Sequence, residues 1–79
     1  MQIRLYILLD EVPRAKVSVT IDVPEGTTVQ QALDKYREEN GLQWDQKGVV
    51  TMVNEQPAKM RDVLQYGSSI RAFRPRAGG

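Results

Sequence analysis

Neither cysteine nor histidine occurs in the 79 residues. The first absence excludes disulfides, thiolate metal sites, a cysteine nucleophile and a cysteine persulfide. The second removes the usual general base near neutral pH, the commonest zinc ligand and the usual partner of a nucleophilic serine. Aromatic residues make up 6% of the chain, with one Trp and one Phe, and no basic and aromatic interleaving accompanies them. A stacking surface for nucleic acid is therefore not expected. Charge of one sign is also lacking: 11 Lys and Arg face 10 Asp and Glu. No apolar run approaches the roughly 20 residues that span a bilayer. Residues 1–9 are interrupted by Arg4 and followed by no small-residue cleavage site, which disfavours a secretory signal. The expectation is a cytoplasmic protein that binds neither membrane nor nucleic acid.

What remains is an ordinary globular balance, 41% apolar and 27% charged, in a chain the size of one small domain. The carboxylate neighbours Asp10 with Glu11 and Glu38 with Glu39 fall on a loop and an exposed helix end. They read as solvated surface, so no metal site is expected, and catalysis by this chain alone is not expected either.

Residues 2–9 alternate, with Ile3, Leu5, Ile7 and Leu9 on one face and Gln2, Arg4, Tyr6 and Leu8 on the other. After a break at residues 10–14, residues 15–23 alternate again, with Val17, Val19, Ile21 and Val23 inward. The two runs read as an antiparallel hairpin with one wet face. Thr28 followed by Gln31 is a capping box. Val29, Ala32, Leu33 and Tyr36 then recur at helical spacing, and Gly41 stops the helix. Trp44, among polar neighbours, is expected to pack over the helix end. A strand over residues 49–53, a turn at Asn54, Glu55 and Gln56, and an edge strand near residues 57–59 follow, the edge being where Pro57 is tolerated. Residues 60–64 suggest a single helical turn. Residues 66–68 are a turn, and residues 69–74 are a last strand with Ile70 and Ala72 inward. This order predicts an α+β fold, a sheet with one main helix packed on one face.

The chain closes on Phe73, Arg74, Pro75, Arg76, Ala77, Gly78, Gly79. Two glycines carry a large entropy cost on ordering and hold no strand or cap. Together with the element order, with Met52, Val53 and Asn54 before a turn, and with residues 66–70 leading into the last strand, this ending resembles the β-grasp sulfur carriers. That family includes the small subunit of molybdopterin synthase and the thiamine-biosynthesis sulfur carrier, with ubiquitin-related modifiers further off. The resemblance implies a β-grasp (ubiquitin-like) mixed sheet, with residues 1–74 as the domain and residues 75–79 as a flexible tail.

The resemblance also implies a function. A partner enzyme adenylates the terminal carboxylate with ATP and magnesium, which belong to that partner, and sulfide transfer gives a thiocarboxylate. Gly79 would then carry the sulfur, with Gly78 as its flexible neighbour and Ala77 as a small spacer, while this chain binds no cofactor of its own. A free terminal carboxylate, pKa about 3.3 to 3.7, is ionised at neutral pH and is a poor electrophile until activated. Phe73, Arg74, Pro75 and Arg76 would meet the partner, Pro75 stiffening the segment through its fixed φ. Arg71, Arg74 and Arg76, with no acid after Asp62, would steer it toward an acidic surface or simply guard a sheet edge. The implied partners are a ubiquitin-activating-like adenylating enzyme and a sulfur-accepting synthase or large subunit, with the carrier a monomer when free. Two rival readings use the same residues. One is a ubiquitin-like modifier joined through Gly79 to lysines, to which Arg76 lends some support. The other is a β-grasp binding subunit whose tail is inert.

Overall fold

The computed structural model describes residues 1–10, 12 and 17–75, with Val17 described in its backbone alone. Six elements follow one another: β1 (Gln2–Leu8), β2 (Val17–Asp22), α1 (Val29–Asn40), β3 (Val50–Val53), β4 (Gln56–Ala58) and β5 (Ser69–Phe73). The strands form one five-stranded sheet in the order β2-β1-β5-β3-β4. β1 pairs antiparallel with β2 and parallel with β5, and β3 pairs antiparallel with both β5 and β4. This is the mixed-sheet β-grasp fold with one helix. The last strand in sequence lies between β1 and β3.

Alternation decides which face is dry. Ile3, Leu5 and Ile7 of β1 and Ile70 and Ala72 of β5 are fully buried, and they share one core with Val29, Ala32, Leu33 and Tyr36 of α1. Each large aliphatic side chain so placed contributes about 1.5–3 kcal/mol. Register extends this face outward: Leu5 stands between Val19 and Ile70, and Ile70 beside Val53. Thr51, a polar residue on the dry face, donates its hydroxyl to the Ala58 carbonyl at 3.0 Å.

Helix α1 begins and ends as its sequence signals. Thr28 Oγ1 accepts from the Gln31 backbone N–H at 3.2 Å, and the Gln31 side chain accepts from the Thr28 N–H at 3.0 Å. Gly41 closes the helix in the left-handed region, φ 62°, where a Cβ would be strained. Trp44 is buried beyond this end, and the Arg37 guanidinium lies over its ring, 5.0 Å from the centroid.

Two expectations are corrected. Residues 60–64 form no helical turn. Asp62 N–H donates to the Lys59 carbonyl at 3.0 Å, closing a β-turn, and Val63 then bridges to Thr28. The physical reason is the unpaired N–H groups at the start of α1: Val29 and Gln30 donate to the carbonyls of Asp62 and Met60, both at 2.9 Å. An open segment can offer those carbonyls to a neighbour, whereas a helix directs its carbonyls along its own axis. The edge strand lies one residue earlier than expected, at Gln56–Ala58, because Asn54 and Glu55 both adopt positive φ, 51° and 69°, and complete the hairpin turn by themselves. Val12 lies in the break after β1, as expected, and is buried there with Leu9, its N–H donating to the Leu9 carbonyl at 3.1 Å.

The second strand, expected over residues 15–23, is described from Val17 to Asp22. The expected tail falls mostly outside the described residues: Pro75 is described and exposed, whereas Arg76, Ala77, Gly78 and Gly79 are not described.

Candidate functional site: the end of β5 and the open sheet face

Strand β5 ends at Phe73, and its alternation puts Ser69, Arg71 and Phe73 on the face opposite Ile70 and Ala72. Phe73 is half-buried there, because its neighbours across the ladder are apolar as well: Leu8 on β1 and Val50 on β3. Leu8 is 38% and Val50 37% exposed, so the three side chains form an open apolar row at the edge where the chain leaves the sheet. One pleat back, Tyr6, Arg71, Met52 and Pro57 stand in register. Tyr6, Met52, Asn54, Glu55, Ser69 and Arg71 line a shallow hollow of about 340 Å³ beside the row.

The polar groups of this face are held in place. Asn54 N–H donates to the Ser69 carbonyl at 2.9 Å, and Ser69 N–H donates to Asn54 Oδ1 at 3.0 Å, locking the β3–β4 turn to the start of β5. Arg71 pairs with Glu55 at 3.5 Å, and Arg4 donates to the Tyr6 hydroxyl at 3.4 Å. Both pairs are exposed and contribute little to stability, so their cations remain available to a second surface.

Arg74 takes a different course. Its Nε donates to the Lys47 carbonyl at 3.3 Å and its Nη2 to the Asp45 carbonyl at 2.5 Å. Gly48 lies against the side-chain methylenes, where an added Cβ would sit 3.7 Å from Arg74 Cγ. Of the residues expected to meet a partner, Phe73 faces the open side, Arg74 turns to the loop and Pro75 is exposed. Arg76, Ala77, Gly78 and Gly79 lie outside the description. Leu8, Val50, Tyr6 and Met52 are not among the site residues expected from the sequence. The outward phase of Leu8 and Tyr6 was visible, but their placement beside Phe73 depends on strand order.

Among the described residues no group of three acidic side chains gathers that could hold a metal ion, and no described helix is long and apolar enough to cross a membrane. Among the described residues one titration is perturbed, away from this face. The Tyr66 phenol is pushed above its usual range, chiefly because it donates a hydrogen bond to Glu25 and secondarily by desolvation.

A small mixed sheet with one helix, whose final strand lies centrally and ends beside an open apolar row, defines a β-grasp, ubiquitin-like protein. The ThiS family pattern matches residues 7–79, nearly the whole chain and through Gly79. The chain belongs to the ThiS family. Small β-grasp proteins of this kind are generally not enzymes themselves and work with activating enzymes and acceptor partners. Among solved structures, the chain is similar to SAMP1 from Haloferax volcanii, with a TM-score of 0.76, 22% identity and full coverage of both chains. A second structure, H. volcanii small archaeal modifier protein 1, aligns with a TM-score of 0.73 at 20% identity over 95% of this chain and 98% of that one. A ubiquitin-like protein from Caldiarchaeum subterraneum aligns with a TM-score of 0.58 at 12% identity over 99% and 100%. These likenesses establish the fold. No curated protein matches the chain.

Proposed function

We propose that the protein is a sulfur carrier whose working group is the Gly79 carboxylate. The observation that carries this reading is the ThiS family match, which runs through Gly78 and Gly79. A carboxylate oxygen attacks the α-phosphorus of ATP, pyrophosphate leaves, and an acyl-adenylate forms. A sulfide-level sulfur then displaces AMP and leaves a thiocarboxylate. ATP and magnesium belong to the adenylating partner. Ala77 and Gly78 carry little bulk, so the end fits a narrow channel leading to a nucleotide phosphate. The open row of Leu8, Phe73 and Val50 is the docking face for that adenylating enzyme, being continuous with the segment it must receive. Arg4 and Arg71 beside the row suit an acidic rim on the partner. The acceptor is a synthase or large subunit in cofactor or metabolite biosynthesis, of which molybdopterin and thiamine assembly are the family's examples, and the carrier works in the cytoplasm as a monomer when free.

Intact mass after incubation with an adenylating enzyme of the host, ATP, magnesium and a sulfide source tests the reading. One oxygen-to-sulfur exchange on the last residue supports it. An amide bond between Gly79 and a lysine of another protein would establish the ubiquitin-like modifier reading, which Arg76 and the likeness to an archaeal modifier favour. Neither product with any adenylating enzyme of the host would leave a β-grasp binding subunit.

A further inference from the structure

The side chain of Arg74 is spent on its own molecule at the point where the sheet releases the chain. β5 ends at Phe73, so Arg74 is the first residue beyond the strand. Its guanidinium sets a fork of donors on two carbonyls of one loop, Lys47 at 3.3 Å and Asp45 at 2.5 Å, with its stem against Gly48. That loop is itself built to stay put. Trp44 is buried at its base with Arg37 over its ring. Asp45 Oδ1 accepts from the Lys47 N–H at 2.9 Å, and Val49 N–H donates to the Gln46 carbonyl at 3.1 Å. Gly48 turns the chain with φ +79°, which brings the loop backbone to the arginine stem.

We propose that Arg74 is a positioning residue that sets the direction in which the chain leaves the sheet toward Gly79. This proposal rests on the carrier reading above. Five residue steps separate Arg74 from Gly79, so backbone geometry lets the carboxylate lie up to about 17 Å away. A reacting group on such a tether gains rate when the conformations open to it are restricted to those pointing at its target. Anchoring Arg74 removes the freedom of the first residue beyond the strand, and the fixed φ of Pro75 removes part of the next. The residue type fits the task. A planar guanidinium reaches two carbonyls at once in fixed geometry, whereas a lysine ammonium presents its three donors from a single point on a flexible stem.

Two measurements test this. In steady-state adenylation with a host adenylating enzyme, ATP and magnesium, Arg74→Ala is expected to lower kcat about tenfold with KM within about twofold of wild type. Arg74→Lys is expected to recover part of the loss, with thermal melting of both variants near wild type. An unchanged kcat, or a raised KM alone, overturns the proposal, the latter making Arg74 a partner contact. The second measurement needs no enzyme. Because the chain has no cysteine, a nitroxide on Lys47→Cys labels one site and keeps the loop carbonyl. Paramagnetic broadening of the amides of residues 76–79 should change at least twofold when Arg74→Ala is added. Identical broadening overturns the proposal. Changed broadening in a protein whose wild type is never adenylated upholds the anchoring and removes the carrier reading.

Discussion

Phe73, the last residue of β5, stands level with Leu8, the last residue of β1, in the parallel pair at the centre of the sheet. Two strands from opposite ends of the chain therefore finish side by side with apolar residues on the open face. Truncating an aromatic anchor in such a row costs binding more than folding. Phe73→Ala is expected to weaken association with the adenylating partner by about 2 kcal/mol or more, read by titration calorimetry. Because Phe73 is half-buried, about 1 kcal/mol of stability goes with it, a fall of roughly 4–8 °C in Tm. A much larger fall with unaltered affinity would make Phe73 a structural residue.

Removal of Gly79 is expected to spare the fold. Among the described residues the last buried one is Ala72, so deletion of Gly79 is expected to leave Tm and the circular dichroism spectrum unchanged while abolishing the gain of sulfur. Loss of the fold on deletion would show that the end contributes to the core.

The capping box makes a local prediction. Thr28 Oγ1 satisfies the Gln31 N–H at 3.2 Å, and Thr28→Ala should cost about 1 kcal/mol, seen as a lower midpoint in denaturant with an unchanged slope. Trp44, the sole tryptophan and a buried one, reports the transition by fluorescence.

The Tyr66 phenol donates to Glu25, which favours the neutral form and raises its pKa in the folded state. Stability from this contact is fully present below the ordinary tyrosine pKa of about 10 and is lost as pH rises through the higher folded value. Ultraviolet titration should find Tyr66 ionising later than a free tyrosine, and Glu25→Gln should bring it back toward the ordinary value. An unshifted titration in wild type would show that the contact is absent in solution.

Much of this protein is set by interactions between residues close in sequence, and those were readable without coordinates. Alternation in β1 assigned Ile3, Leu5 and Ile7 to the dry face because successive side chains of a strand point to opposite sides. Thr28, Gln31 and Gly41 marked the ends of α1 because cap chemistry acts within a turn of the helix. The missing cysteine and histidine removed thiolate, persulfide and imidazole chemistry.

Pairing between distant segments was decided elsewhere. That β5 lies between β1 and β3, so that Leu8 and Val50 flank Phe73, follows from how the whole sheet buries one face, and no local pattern encodes it. Residues 60–64 could turn as a helix by local preference. Unpaired N–H groups at the start of α1 made them an open segment that donates carbonyls instead. Arg74 reads in sequence as one of three cations that either steer the chain toward an acidic partner or guard a sheet edge. Tertiary structure brought the carbonyls of Asp45 and Lys47 within reach of its guanidinium and made it an anchor for the departing chain.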